Sequence, residues 1–194
     1  MVKIIIGVTG TKAAGKDEFV RALQEQYRFV SFSLADIVRE EAKRRELPFT
    51  TQNLQDIGNE LRRLKGNGVL AETTVNKIAR RKEASQVVIN SVRNPAEVEF
   101  FQRRFGNKFF LIGIDADKEI RRKRYLKREG AKEEEFEEAN RRDLREKESY
   151  GQQVTECLGL ARKIIYNNGS LEELREKIKE LFCFDIGIKR EKES

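Results

Sequence analysis

Residues 10–19 read GTKAAGKDEF, with Gly10, Gly15 and Lys16 at the spacing G-x-x-x-x-G-K. Glycines at those places permit backbone conformations and close approaches that a side chain would block. Successive amide N–H groups of such a loop converge on phosphate oxygens, and a helix N-terminus behind it adds positive potential. Lys16 supplies a point charge that can follow a phosphoryl group into its transition state. The pattern predicts a nucleotide phosphate cradle over Gly10, Thr11, Lys12, Ala13, Ala14, Gly15, Lys16, Asp17 and Glu18, provided that a strand precedes it and a helix follows.

The last position of the pattern departs from rule. Serine or threonine usually completes it, and here it is Asp17. A first-turn aspartate is stabilised by the helix dipole and repels phosphate, which is one reading. A second is lost function. The third makes the carboxylate a magnesium ligand in place of the hydroxyl, since Mg²⁺ takes one or two carboxylates beside substrate phosphates. On that reading activity depends steeply on the metal.

The surrounding elements meet the proviso. KIIIGVT (3–9) is short, β-branched and not alternating, as in a strand buried on both faces. KDEFVRALQEQY follows as a helix, then RFVSFS (28–33) as a strand and LADIVREEAKRREL as a helix ended before its proline. Residues 51–82 carry two helical patterns broken by KGNG (65–68). QVVINSV (86–92), KFFLIGIDA (108–116) and RKIIYNNG (162–169) read as three further strands. Helices over NPAEVEFFQRRF and SLEELREKIKELF follow the first and last of these, the latter capped by Ser170 with Glu173 at the capping-box position. Between Asp117 and Tyr150 the chain is almost wholly charged and helix-prone. Strands alternating with helices predict a three-layer α/β/α fold on a five-stranded, mostly parallel sheet. Ligand loops then belong at the carboxyl ends of the strands.

Composition removes other chemistries. No histidine occurs in the 194 residues, so His-based triads and imidazole acid–base catalysis are excluded. Cys157 and Cys183 form neither a disulfide framework nor a metal-ligand spacing. No apolar run reaches the length of a membrane span, and a cytoplasmic protein is the expectation. The net charge of +7 arises from 40 basic residues interleaved with 33 acidic ones, which marks solvated helix faces more than a nucleic-acid surface.

With its loop placed between strand and helix, the chain resembles the P-loop nucleotide kinases of the adenylate-kinase and dephospho-CoA-kinase type. The resemblance runs over nearly the whole chain as an order of motifs. Deoxynucleoside monophosphate kinases and phosphomevalonate kinases with G-K-D in the loop support the magnesium reading of Asp17. SLADIVR (33–39) resembles the acceptor segment S-T-G-D-x-x-R, matching at Ser33, Asp36 and Arg39. The resemblance implies that Arg39 binds an acceptor phosphate and that Asp36 is the base if the acceptor is a hydroxyl. Asp36 and Arg39 are also spaced as a solvated helix pair. VVINSVRNPAEVE (87–99) resembles L-D-G-x-P-R, so that Arg93 meets the acceptor phosphate. Asn90 stands there for the usual aspartate and Ser91 for the usual glycine. Arg124 and Arg128 resemble the R-x-x-x-R that opens a lid over residues 121–149, with Arg141, Arg142 and Arg145 on its returning helix. An exposed charge-laced helix has the same appearance. YNNG and the following helix are similar to the end of dephospho-CoA kinases, and a plain turn with a cap explains those side chains.

The expectation is therefore one P-loop kinase domain over 1–194, with an acceptor-binding region at 33–82 and a lid at 121–149. It would use ATP and Mg²⁺ and phosphorylate a nucleotide or nucleotide-like small molecule. Lys16, Asp36, Arg124, Arg128, Arg141 and Arg145 would carry catalysis, Asp17 the metal, and Ser33, Asp36, Arg39 and Arg93 the acceptor. The rival expectation is a P-loop ATPase or a nucleotide-binding regulator without transfer. The sequence leaves the acceptor and the oligomeric state open.

Overall fold

The apolar runs become β1 (Ile4–Thr9), β2 (Val30–Ser33), β3 (Gln86–Asn90), β4 (Phe109–Asp115) and β5 (Lys163–Tyr166). They pair in the order β2-β3-β1-β4-β5, every neighbour parallel. The computed structural model describes residues 3–81, 83–127, 131–145 and 148–186. The helices are α1 (Lys16–Tyr27), α2 (Leu34–Arg44), α3 (Thr51–Lys65), α4 (Val69–Ala79), α5 (Pro95–Phe105), α6 (Lys118–Leu126), α7 (Glu133–Arg145), α8 (Val154–Gly159) and α9 (Leu171–Glu180).

Strand alternation divides the core in two. Ile5, Val87, Ile89 and Leu111 point to one side, where α2, α3, α4 and α5 supply Leu34, Leu61, Leu70 and Phe101. Ile4, Ile6, Val8, Val88, Ile112 and Ile114 point to the other, against Phe19 and Leu23 of α1 and Leu174 and Ile178 of α9. Both faces are covered, so the central strands β1 and β3 carry no polar alternation, while the edge strand β2, VSFS, alternates.

Local chemistry sets the boundaries. The Thr50 hydroxyl caps α3 by accepting the Asn53 N–H, and Asn94 with Glu97 makes a full capping box at α5. Ser170 caps α9 by accepting the Glu173 N–H at 3.2 Å. Gly66, at φ 95°, ends α3 inside the expected break.

Three boundaries depart from the sequence reading. β2 begins at Val30, because Arg28 adopts φ 55° and closes α1 through its N–H on the Leu23 carbonyl. α8 is a short helix between α7 and β5 that periodicity did not reveal, and six residues are too few to show one. Beyond α9 the chain widens into a π-helical turn, Leu181–Ile186. That turn buries Phe182, whose ring stacks on Tyr27 at 4.4 Å between centroids and meets Phe29 edge-on at 5.7 Å.

Phe182 thus ties the end of the described chain to the end of α1 and the turn into β2. Replacing it with alanine should cost about 3–5 kcal/mol in chemical denaturation. A loss below about 1 kcal/mol would mean that the turn frays from the sheet in solution.

Candidate active site

The loop between β1 and α1 closes as a tight arch. Gly10 has φ 147° and Gly15 φ 102°, with Ala13 also left-handed at 62°. A Cβ on Gly10 would strike the Ile114 carbonyl, and one on Gly15 the Asn167 amide. The loop glycines are therefore demanded by packing against β4 and the end of β5 as well as by dihedral angle. Other chain segments hold the arch open. Thr11 Oγ1 donates to Asp115 Oδ1 at 2.6 Å, and Asn167 Nδ2 donates to the Ala14 carbonyl at 2.8 Å. Asp143 on α7 accepts the Lys12 N–H at 2.9 Å.

Lys16 is buried beneath the arch and folds back on it, donating to the Gly10 and Thr11 carbonyls at 2.8 and 2.7 Å. Burial and the nearby Arg93 charge push its pKa down from 10.5 to about 7, against the pull of Asp143 and Asp17. The two carboxylates offset only part of the cost of burying an ammonium there.

Asp17 faces Asn90. The Ser91 N–H donates to Asn90 Oδ1 at 2.7 Å, which fixes the amide and turns Nδ2 towards Asp17 Oδ1 at 2.9 Å. The two unusual residues therefore form one unit: an aspartate at position 90 would set two carboxylates against each other. Ser91 has φ 65°, which is why glycine is the commoner choice at that position. The donor set fits magnesium in kind, being an exposed carboxylate oxygen at the mouth of a phosphate loop. Among the described residues no cluster of three acidic or cysteine ligands offers an all-protein cage, so phosphate oxygens and water would complete the coordination.

Beside the loop opens a cleft of about 220 Å³ against α2 and α3. Leu34, Val38, Leu54 and Leu70 give it an apolar floor, while Lys12, Lys16, Arg39, Arg62 and Arg93 ring it with positive charge. Asp17 is the carboxylate among its lining residues, and no aromatic side chain is among them in the described chain. Glu97 positions two of the cations: it is buried, binds Arg62 at 2.9 Å and accepts the Arg93 N–H at 2.8 Å. The Arg93 guanidinium spans to Asp143 at 2.8 Å and Gln152 at 2.6 Å.

The expected site residues divide accordingly. The structure brings Lys16, Asp17, Arg39 and Arg93 to the cleft. Ser33 caps α2 through the Ala35 N–H. Asp36 does not line the cleft; it is half exposed and pairs with Arg39 at 2.7 Å, three residues along the helix. Arg124 is held on the Asn167 and Gly169 carbonyls, and Arg141 lies exposed against Glu138. Neither is brought to the phosphate loop. Arg128 and the side chain of Arg145 fall outside the described residues.

Four residues escaped the sequence reading. Arg121, buried, donates to the Ala116 carbonyl and to Asn140 Oδ1, joining α6 to α7 beside Lys12. Its signal was Tyr125, four residues on and buried on the same helix face. Asp143 was hidden by the arginines around it. Asp115 and Asn167 stand at the carboxyl ends of β4 and β5, where ligand loops gather. The buried amide of Asn167 corrects the reading of YNNG as a plain turn.

Fold and loop together define a P-loop protein, on an α/β fold that P-loop kinases share. The chain belongs to the family whose model is described as an AAA domain, matched over residues 6–147, and to the UPF0200 proteins. A UPF0200 protein of Pyrococcus horikoshii is 31% identical over 188 residues, 93% of this chain and 95% of that protein. A UPF0200/UPF0201 protein of Archaeoglobus fulgidus is 38% identical over 76% of this chain, which spans about 46% of that relative's length. Shikimate kinase from Bacteroides thetaiotaomicron shares the fold, with a TM-score of 0.58 at 15% identity over 93% of this chain and 99% of that one. No helix among the described residues is long and apolar enough to cross a membrane.

Two measurements probe this geometry. Asn90→Asp should destabilise the protein by about 1–3 kcal/mol at neutral pH, and adding Asp17→Asn should recover most of it. Absence of coupling in the double-mutant cycle would dissolve the pair. For Lys16, the unfolded chain binds a proton that the folded chain lacks between about pH 7 and 10.5, so its contribution to stability rises with pH across that window. A bound polyphosphate restores the ammonium, so binding at pH 8 should take up most of a proton and weaken as pH climbs. Calorimetry in buffers of different ionisation enthalpy reads this directly, and zero uptake would contradict the lowered pKa.

Proposed function

We propose that this chain is an ATP- and magnesium-dependent kinase, working as one catalytic unit, that transfers the γ-phosphoryl group to a small phosphate-bearing acceptor. The observation that carries the reading is a phosphate loop and a cation-ringed cleft sharing one mouth, with Lys12, Lys16 and Asp17 lining both. A simple ATPase has no need of the second half.

The loop amides and Lys16 would hold the donor phosphates in line with the cleft. Arg93 and Arg39 would present the acceptor, with Gln55 and Gln152 offering neutral hydrogen bonds beside them. Asp17, oriented by Asn90, would hold Mg²⁺, which when bound neutralises phosphate charge. Helices α6 and α7 would exclude water from above.

Two features favour a phosphate as the attacking group. With Asp36 outside the cleft and Asp17 assigned to the metal, no other carboxylate lining the cleft is available to deprotonate a hydroxyl. A phosphate oxygen is already anionic. The acceptor named in the shikimate kinase likeness is an alcohol, so the likeness bears on fold and not on that choice. The cleft also lies below the roughly 300–1,000 Å³ of drug-sized pockets, and it offers no ring for a base to stack on. Both points favour a compact phosphomonoester within the nucleotide-like range.

ADP release with Mg²⁺ should be stimulated by a phosphomonoester in a panel of nucleoside and deoxynucleoside monophosphates, dephospho-CoA and small sugar and alcohol phosphates. Arg93→Ala should lower kcat/KM by about 100-fold or more, and Asp17→Ala should abolish the metal-dependent rate. ATP turnover indifferent to every acceptor would favour the ATPase or regulator.

A further inference from the structure

Asp143 is fully buried although it belongs to one of the most highly charged helices in the chain. Both of its oxygens are occupied. Oδ2 accepts the Lys12 N–H at 2.9 Å, and Oδ1 accepts from Arg93 Nη1 at 2.8 Å. Its charge also reaches the Lys16 ammonium, where it opposes the effect of burial and of Arg93. A loop amide, a guanidinium from the acceptor cleft and the loop lysine are the donors that a phosphoryl group recruits.

We propose that Asp143 is an internal stand-in for the transferred phosphoryl group, filling the subsite between Lys12 and Arg93 in the empty protein and being displaced when polyphosphate binds. The inference rests on the phosphate-loop reading above. Its physical basis is charge balance. Buried cations without a partner are costly, and a carboxylate from the lid supplies that partner while the site is empty. Carboxylate and phosphate cannot share the same donors, because like charges at hydrogen-bond range repel strongly.

Displacement must therefore release α7 from the phosphate loop. That helix then stays tied to its neighbours by the Arg121–Asn140 bond, by Arg142 on Gln55 and Asp56, and by the buried Phe136 ring against Tyr125. Loading the donor site and freeing the lid become one event. Arg93, released from Asp143, is then available to the acceptor.

Inorganic tripolyphosphate is the probe, titrated by calorimetry into wild type and Asp143→Asn, with amide hydrogen exchange read across residues 133–143. The variant should bind about 10-fold more tightly, a difference near 1.4 kcal/mol. In wild type, tripolyphosphate should speed exchange in α7; in the variant, α7 should already exchange at the raised rate. Equal or weaker binding by the variant overturns the proposal and leaves the phosphate-loop reading standing. Tighter binding with α7 exchange unchanged or slowed in wild type means that the carboxylate acts only through its field, which also overturns displacement. No binding by either protein overturns both readings. If the variant does not fold, the wild-type exchange carries the test.

Discussion

A phosphate loop is a concave row of donors, and it must keep its shape when no anion is there to hold it. Much of the structure around residues 10–17 serves that constraint. Thr11 is anchored to Asp115 on β4, and the Ala14 carbonyl to Asn167 beyond β5. Lys16 turns inward onto two loop carbonyls, and Asp143 reaches down from the lid helix to the Lys12 amide. Each support comes from a different element, so the loop reports on the integrity of half the sheet. The cost of this preorganisation is visible in Lys16, whose ammonium is disfavoured until phosphate arrives.

The cleft beside the loop is organised around a carboxylate as well. Glu97 closes the capping box of α5, fixes the Arg93 backbone and neutralises Arg62, all from one fully buried side chain. A buried ion pair of this kind contributes little net stability but is severe to break from one side. Its value here is geometric, since two cations of the cleft take their positions from it. Asp17 and Asn90 show the same economy at the mouth of the loop. The pair keeps a single negative charge, carried by the loop helix instead of the strand end.

The order of elements and the sheet were legible because a parallel sheet buried on both faces writes itself as uninterrupted β-branched runs. The phosphate loop was legible because its glycines are fixed by backbone geometry, which few other residues satisfy. Arg39 and Arg93 were found through resemblance, and the cleft receives both. Resemblance offered Arg124 and Arg141 as catalytic arginines of a lid over residues 121–149, whereas the charges that turn inward in that segment are Arg121 and Asp143. In a segment where nearly every residue is ionic, periodicity in charge carries little information about which side chain turns inward. Asn167 was hidden for another reason: its partner lies 153 residues away, and no local pattern marks such a contact.

That separation has a consequence for how the site comes into being. The loop is made well before its support at the Ala14 carbonyl, which follows 153 residues later. A ribosome-bound nascent chain can carry the complete glycine motif and much of the sheet while this contact is still missing. β5 must dock on β4 before Asn167 reaches the loop, a non-local step of the kind that slows folding. The hydrogen bond from the Asn167 amide to the Ala14 carbonyl thus makes the finished phosphate cradle depend on docking of the far edge of the sheet.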